Sequence, residues 1–198
     1  MTATVYGLVL AGGRSKRMQR DKAALDYGGR PQLLATWELV TAMTERAFVS
    51  VRTDQRDEPL RASLPQIVDA VDAEGPIAGI LSALDAHPDR AWLVVACDLP
   101  RLDRATLGRL FAERDPSQLA TAYRSAYDGL PEPLCAIYEP ASRGPLHAFL
   151  ATGRNCPRKF LGGPQVRLIG LADDHALDNV NTPEEYRAAQ VAAEPGPA

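Results

Sequence analysis

The sequence predicts a three-layer α/β fold in which helices cover both faces of a mostly parallel central sheet. Short apolar runs alternate along the chain with segments whose apolar residues recur at helical spacing. The most strand-like run, residues 92–97, is apolar at every position, as expected for a central strand that is buried on both faces. The chain has 198 residues, of which 45% are hydrophobic and 24% charged, so it is long enough for one such domain with a substantial core.

Seven apolar runs predict the strands of the sheet, at residues 6–10, 47–51, 66–70, 92–97, 119–124, 134–138 and 166–169. Aliphatic and aromatic residues dominate these runs, and glycine, proline or charged residues bound most of them. Residues 125–133 contain Gly129 and two prolines, so we expect a polar loop there. The polar segment 52–61 is predicted to be a loop that leads into a weak helix.

Helices are predicted where a start signal precedes apolar residues spaced by three or four positions. Pro31 and Pro76 suit first helical positions, and Asp103 suits an N-cap. Thr182 and Glu185 form a capping box at the start of a last helix. The other helices are predicted at residues 141–152 and, as a short helix or turn, at residues 158–161.

Charge and cysteine content narrow the functional classes. The net charge of −3 gives no global basic field, so we expect no nucleic-acid partner. The three cysteines are widely spaced and lack zinc-binding or disulfide-framework patterns, which favours a reducing, cytoplasmic location. The apolar run at residues 5–11 is too short to cross a bilayer, so we expect no membrane partner. We expect a single domain over residues 1–193 and a disordered tail at residues 194–198.

The first predicted strand runs into a glycine pair, Gly12 and Gly13, which is followed by dense positive charge. Glycine lets a ligand approach the main chain, and consecutive backbone N–H groups in such a loop form an anion-binding concavity. The pattern suits a triphosphate, although a turn and a solvated basic helix face explain it as well when it is taken alone. The loop fits neither a Walker A motif nor the dinucleotide fingerprint. Five cations lie within nine residues: Arg14, Lys16, Arg17, Arg20 and Lys22.

Polar residues near predicted strand ends are the candidate ligand-binding groups. Asp98 follows the fourth predicted strand, where a carboxylate is costly unless it meets a cation or a hydrogen-bond donor. It suits a Mg²⁺ ligand beside phosphates, and it equally suits a turn or a helix cap. Asp69 and Asp72 precede the Pro76 helix start, where either can bind a base or a ribose or be solvated. The amides at residues 179 and 181 are typical of turn and cap positions.

Together these segments resemble the signature of the nucleotidyltransferases, and most closely the molybdenum cofactor guanylyltransferases, which join GTP to molybdopterin. The glycine loop carries the first part, as Leu-Ala-Gly-Gly at residues 10–13 followed by Arg17-Met18 and Asp21-Lys22. One such motif is weak, but five in order over roughly residues 5–190 strongly support the family. The other four are Gly28-Gly-Arg-Pro31, Gly75-Pro-Ile-Ala-Gly79, Cys97-Asp-Leu-Pro100 and Asn179-Val-Asn-Thr-Pro-Glu-Glu185.

The resemblance implies a Rossmann-like nucleotidyltransferase fold and a Mg²⁺-dependent transfer of GMP from GTP to the terminal phosphate of molybdopterin. It implies that Asp98 binds the metal and the nucleotide, and that Arg17 and Lys22 act on the phosphates as catalytic residues. It also implies transient contact with molybdenum-insertion proteins or with the molybdoenzymes that receive the product. The remaining implied ligand-binding residues are Leu10, Ala11, Gly12, Gly13, Arg52 and Asp69 for the nucleotide, with Asn179 and Asn181 for the acceptor.

Three departures from the family pattern keep alternatives open. One is that residues 125–133, where contact with the second substrate is expected, match no pattern of the family. Gln19 and Arg20 occupy a turn in which glycine is common, and Arg52 stands where an asparagine is typical. The second glycine of the Leu-Ala-Gly-Gly loop resembles the guanine-using branch, whereas the cytidine-using branch tends to carry Leu-Ala-Ala-Gly. The alternatives are transfer from CTP, transfer to a sugar phosphate or a cobinamide phosphate, and a GTP-binding module without turnover.

Overall fold

The computed structural model of the chain describes residues 2–12 and 30–179. Within those ranges the predicted α/β class is confirmed. The predictions for Gly13, Arg17, Lys22 and Asn181 fall outside the described residues. The same holds for the helix predicted after Thr182 and for the predicted tail.

Strands and helices alternate along most of the described chain, at nearly the positions that the apolar runs predict. Among the described helices, none combines the length and the apolar character needed to cross a bilayer. The strands are β1 (Val5–Leu10), β2 (Ala47–Val51), β3 (Gln66–Val68), β4 (Ala91–Ala96), β5 (Ala120–Arg124), β6 (Pro131–Tyr138) and β7 (Val166–Gly170). The helices are α1 (Gln32–Thr41), α2 (Pro59–Ala62), α3 (Pro76–Ala86), α4 (Arg104–Ala112), α5 (Arg143–Ala151) and α6 (Pro157–Leu161), with 3₁₀ turns at Thr53–Gln55 and Pro140–Ser142.

The described strands form one seven-stranded sheet with the order β3-β2-β1-β4-β6-β5-β7. β6 is antiparallel to its neighbours β4 and β5, and every other pairing of these strands is parallel. From β1 the chain continues to β2 on one side and later returns to β4 on the other, so the strand order reverses between β1 and β4. Doubly wound sheets bind their ligands at this point, beyond the carboxyl ends of the strands.

Two apolar cores, one on each face of the sheet, explain why the central strands are apolar at nearly every position. Val5 and Val9 of β1 belong to the core that includes α1 and α4, whereas Tyr6 and Leu8 belong to the core that includes α3, α5 and α6. Successive residues of a strand point to opposite faces, so each strand feeds both cores. All six residues of β4 are buried in this way. The predicted three-layer arrangement is therefore confirmed.

The sixth strand starts earlier than predicted, because its prolines do not have to interrupt the sheet. β6 begins at Pro131, within the segment predicted to be a loop. Its pairing with β5 shifts between Ala122 and Tyr123, and Tyr123 pairs with Glu132. Pro133 lies in the resulting bulge, where no ladder donor is needed. A bulge cannot be foreseen from a local proline signal, because it depends on the partner strand.

A hairpin connects β5 and β6 at the same sheet edge where β1 ends. β5 runs parallel to β7 and antiparallel to β6, so it reaches this edge at Arg124 and β6 starts from the same edge. The backbone N–H of Ser125 donates to the Leu130 carbonyl over 2.8 Å and closes the turn. Gly129 has a φ of 69°, in the left-handed region that favours glycine. The connection is therefore a short hairpin tip, and it lies at the ligand-binding edge of the sheet.

Candidate functional site

The ends of β1 and β4 bring the two halves of the predicted site side by side. Leu10 is paired in register with the last residue of β4, and the Cys97 amide donates to the Leu10 carbonyl over 3.3 Å. Ala11 and Gly12 continue from β1, while Asp98 continues from the neighbouring strand. The predicted placement of Gly12 and Asp98 at one edge of the sheet is therefore confirmed.

Side chains that follow β2 surround Gly12. Arg52 donates through Nη1 to the Gly12 carbonyl, and its Nε and Nη2 atoms bond the Asp54 carboxylate at 2.9 and 3.0 Å. The Oε1 atom of Gln55 accepts from the Arg52 backbone N–H over 3.3 Å. A Cβ atom on Gly12 would lie within 3.8 Å of Arg52, Gln55 and Asp69. Three predicted nucleotide-binding residues, at positions 12, 52 and 69, thus lie together.

Two residues at the carboxyl end of β2 hydrogen-bond to Asp69, which is partly removed from water. The Ser50 hydroxyl donates to Asp69 Oδ1 over 2.8 Å, and the Asp69 backbone N–H donates to the Val51 carbonyl over 2.8 Å. Burial raises the pKa of Asp69, while the Ser50 hydrogen bond and the Arg52 charge oppose that rise. A side chain at Gly79 of α3 would overlap the Ser50 hydroxyl. The last glycine of the Gly-Pro-Ile-Ala-Gly motif therefore lets α3 pack directly against the strand end that orients Asp69.

Beside Asp98 the sheet edge opens into a cleft of about 1260 Å³. Its lining includes Asp98 and the start of α3 at Gly75 and Pro76, and it also includes the β5–β6 hairpin and Asn179, which we call the hairpin side of the cleft. Gly75 has a φ of 84°, which favours glycine at the residue before the helix. Typical small-molecule pockets enclose roughly 300–1,000 Å³, so this cleft has room for a large ligand or for parts of two.

The hairpin side of the cleft carries a polar network that the sequence alone does not reveal. Tyr127, which is 73% exposed, lies near the hairpin tip and donates to Asp178 Oδ1 over 2.6 Å. Arg158 pairs with Asp128 at 2.9 Å and with Glu132 at 3.0 Å. These partners are far apart in the chain, so no local spacing indicates the pairs. In the sequence, a tyrosine within a predicted polar loop is the local signal that indicates this side of the cleft.

The carboxylate of Asp98 suits a divalent ion whose other ligands are waters and substrate phosphates. The described residues contain no group of three or more His, Cys, Asp or Glu side chains placed to hold a metal. Mg²⁺ commonly binds one or two carboxylates and completes its shell with waters and substrate phosphates. Asp98 presents one carboxylate on the cleft wall, beside the strand end that carries Gly12.

The thiols near this edge are not arranged as nucleophiles. Cys97 and Cys135 are both buried, which confirms the prediction that Cys97 is a buried residue. Burial raises the pKa of Cys135 to about 12, so this thiol stays protonated near neutral pH. Neither of these two buried thiols is therefore placed to act as a nucleophile in the cleft.

Comparison with known proteins relates this arrangement to a described family. Residues 7–168 match the family described as MobA-like NTP transferase domain. The chain is 36% identical over 182 residues to a molybdenum cofactor biosynthesis bifunctional protein from Synechocystis sp.; the match covers 92% of this chain, which spans about half (52%) of that relative. It is 32% identical over 189 residues to a probable molybdenum cofactor guanylyltransferase from Synechococcus elongatus, covering 93% of this chain and 97% of the relative.

Solved structures show the same architecture. Molybdopterin-guanine dinucleotide biosynthesis protein A from Archaeoglobus fulgidus superposes with a TM-score of 0.80, covering 94% of this chain and 97% of that one. Their sequence identity is 23%, so the likeness speaks for the fold alone. The overall fold of this chain is thus that of a solved structure, and the substrates must be argued from the site.

Proposed function

This chain belongs to the MobA-like NTP transferase domain family, and from that membership we propose that it transfers GMP from GTP to the terminal phosphate of molybdopterin. The products are molybdopterin guanine dinucleotide and pyrophosphate. A relative of matching length is named a probable molybdenum cofactor guanylyltransferase, which supports both substrates. The observation that carries the proposal is the Gly12 strand end beside Asp98, at the reversal of strand order, with an open cleft adjoining Asp98.

Asp69 is the proposed contact to the guanine base. Guanine presents an N–H and an amino group side by side, and one carboxylate can accept from both. The Ser50 hydroxyl bonds one carboxylate oxygen at 2.8 Å and fixes the orientation of the group. Arg52 and Gln55 lie on the same side of Gly12 as Asp69. This assignment places the base beyond β2 and β3 and leaves the cleft beside Asp98 for the acceptor.

The phosphates are proposed to bind along the strand end formed by Leu10, Ala11 and Gly12. Backbone N–H groups at a glycine attract anions, and Gly13 follows Gly12 in the sequence. Arg17 and Lys22 follow in the sequence and are proposed to contact the phosphates and to offset their charge. The Gly12 amide and the cations would thus share the phosphate charge.

The reaction needs positioning and charge stabilisation rather than a protein nucleophile. The terminal phosphate of molybdopterin is anionic at neutral pH, so its oxygen can attack the α-phosphorus of GTP without a strong general base. The new P–O bond forms in line as the bond from the α-phosphorus to the bridging oxygen breaks, and pyrophosphate leaves with that electron pair. Lys22 and Arg17 are proposed to offset the charge that develops on the phosphate oxygens.

Enzymes of this family generally use a divalent metal ion, and we assign Mg²⁺ to Asp98. When bound, the ion neutralises phosphate charge and polarises the reacting phosphoryl group. The Asp98 carboxylate would hold it from the cleft wall, and phosphate oxygens and waters would supply the other ligands.

The acceptor is proposed to lie in the cleft, between Asp98 and the hairpin side. Asn179 lines this cleft and is exposed, so its amide can donate to and accept from a ligand. Asn181 is proposed to join it from two residues further along the chain. The acceptor phosphate would then approach the nucleotide from the side opposite to Asp69.

Replacing Asp69 by asparagine is expected to weaken GTP use and to stabilise the protein. Losing a charged acceptor for the base should lower kcat/KM for GTP about 10- to 100-fold. The raised pKa means that the folded protein carries this charge at a cost once the pH is above that pKa. The variant should therefore melt at a higher temperature than the wild type near pH 7. This difference in melting temperature should shrink as the pH falls through the raised pKa of Asp69 toward 3.8, the ordinary pKa of an aspartate.

Melting curves of both proteins between about pH 4 and pH 8 measure this difference. Asp72→Asn is the matched control, because Asp72 is exposed and lies three residues away. A melting difference between wild type and Asp69→Asn that stays constant across this range would contradict the role assigned to burial.

The function is tested by pyrophosphate release from GTP, CTP, ATP or UTP in the presence of Mg²⁺, with and without molybdopterin. We expect release from GTP only when molybdopterin is present, together with a product that has the mass of molybdopterin guanine dinucleotide. Release from CTP instead would assign the chain to the cytidine-using branch. Tight GTP binding without release would indicate another acceptor or a binding module.

A further inference from the structure

Arg61 is a charged side chain in a position where charge is unusual. It lies in the short helix α2, is only 1% exposed, and is not among the residues that line the cleft. Arginine is almost never fully buried unless its guanidinium is paired and hydrogen-bonded. The partners of this group therefore indicate what its burial achieves.

The guanidinium of Arg61 converges on one backbone oxygen at the end of β1. Its Nη2 atom donates to the Ala11 carbonyl over 2.8 Å, and its Nε atom donates to the same oxygen over 3.3 Å. Its Nη1 atom pairs with the Glu58 carboxylate, which offsets the buried charge. Fifty positions of sequence separate Arg61 from Ala11, so this contact connects α2 to the residues that follow β1, Ala11 and Gly12.

Fixing the Ala11 carbonyl also fixes the amide of Gly12. The peptide unit is planar and trans, so the C=O of one residue and the N–H of the next point in opposite directions. The Ala11 N–H is held in turn by the Ser50 carbonyl at 3.4 Å, and Arg52 donates to the Gly12 carbonyl. Two guanidinium groups thus hold consecutive carbonyl oxygens of the turn, and the Gly12 N–H is directed away from Arg61.

We propose that Arg61 is a positioning residue for the nucleotide phosphates, acting through the Ala11 carbonyl to aim the Gly12 amide at them. The inference rests on the proposed function insofar as it takes the Gly12 turn as the phosphate-binding element. Arg61 itself would touch no substrate. It would keep the Ala11–Gly12 peptide in the orientation in which the Gly12 N–H, rather than the Ala11 carbonyl oxygen, faces an anion.

A merely structural arginine would have a different signature. Loss of a structural buried cation lowers stability and reduces the binding of every ligand together. Loss of a phosphate-positioning group should weaken a triphosphate much more than the nucleoside that shares its base and ribose. The ratio of the dissociation constants for guanosine and GTP therefore separates the two roles.

The test compares wild type, Arg61→Lys and Arg61→Gln by calorimetric titration with GTP and with guanosine. A misdirected amide should weaken GTP binding about 30- to 100-fold in Arg61→Gln while guanosine changes less than about threefold. Arg61→Lys keeps the charge and can still pair with Glu58, but a lysine cannot donate through two nitrogens as the guanidinium does. Its affinity for GTP should therefore lie between those of the wild type and Arg61→Gln. Arg56→Gln is the control, because it removes an exposed arginine from the same segment.

Hydrogen exchange provides a readout that needs no nucleotide. Without the Arg61 donors, the Ala11 amide should exchange about tenfold faster, while the Val49 amide in the middle of β2 stays protected. Equal weakening of GTP and guanosine, or unchanged Ala11 exchange in both variants, would overturn the proposal. If the wild type binds another nucleotide instead of GTP, the proposed function fails, and the same ratio measured with that nucleotide and its nucleoside still decides the role of Arg61.

Discussion

Asp98→Ala is expected to lower kcat for pyrophosphate release about 10³-fold while the melting temperature stays within a few degrees of wild type. Asp98 is the described carboxylate that lines the cleft beside the Gly12 strand end, so it is the proposed anchor of the metal and of the phosphates. Its removal takes away charge stabilisation that grows in the transition state. The measurement is steady-state turnover at saturating GTP, molybdopterin and Mg²⁺.

Asp89→Ala is the matched control for this prediction. Asp89 is exposed and precedes β4, whereas Asp98 follows the same strand, so the control removes an equal charge from the opposite edge of the sheet. Its turnover should stay within twofold of wild type. Near-normal turnover in Asp98→Ala would remove this residue from the metal site.

Glu139→Gln is expected to cost about 3 kcal/mol of unfolding free energy and to lower the melting temperature by about 6–12 °C. Glu139 is 2% exposed and binds Arg114 through two bonds, at 2.6 and 2.7 Å. Arg114 also donates to the Ala3 carbonyl over 2.9 Å. A neutral partner leaves the guanidinium largely buried without its counter-charge. Thermal and denaturant unfolding measure the loss, and turnover per folded molecule should be unchanged.

The control for this variant is Glu113→Gln, which breaks the Arg167–Glu113 ion pair. Both of those side chains are at least 40% exposed, so the loss should be below about 1 kcal/mol. A second check is the pair of changes Arg114→Met with Glu139→Leu, which should recover part of the stability lost in Glu139→Gln. A Glu139→Gln protein as stable as the Glu113→Gln control would mean that the buried pair contributes nothing net.

Most of the fold could be predicted because each buried strand carries its own signal. β4 is apolar at all six positions, and its place in the centre of the sheet follows from that pattern. Asp103 was recognisable as an N-cap, and it accepts from the Thr106 amide over 2.7 Å. The direction of β6 and its bulge could not be predicted, because strand pairing depends on residues distant in the sequence.

The candidate site likewise contains some residues whose positions the sequence predicts and others whose positions it does not. Gly12 and Asp98 each follow a recognisable strand, and parallel strands deliver their ends to one edge, so their proximity follows from the pattern. Arg61 carries no such signal, since an arginine in a polar segment usually lies in water. Its burial is decided by a carbonyl fifty residues away. Tyr127 was missed for a related reason, because its partner Asp178 lies in a different part of the chain.

The reversed direction of β6 also bears on how such an enzyme can change its acceptor. Because β5 ends and β6 begins at one edge, the hairpin tip between them borders the cleft without taking part in either apolar core. Doubling the length of a flexible loop costs only about 0.6 kcal/mol. Insertions at Tyr127 would therefore reshape the hairpin side of the cleft, where the acceptor is proposed to bind, and leave the Gly12 strand end untouched. Evolution would thus alter one proposed substrate and keep the other.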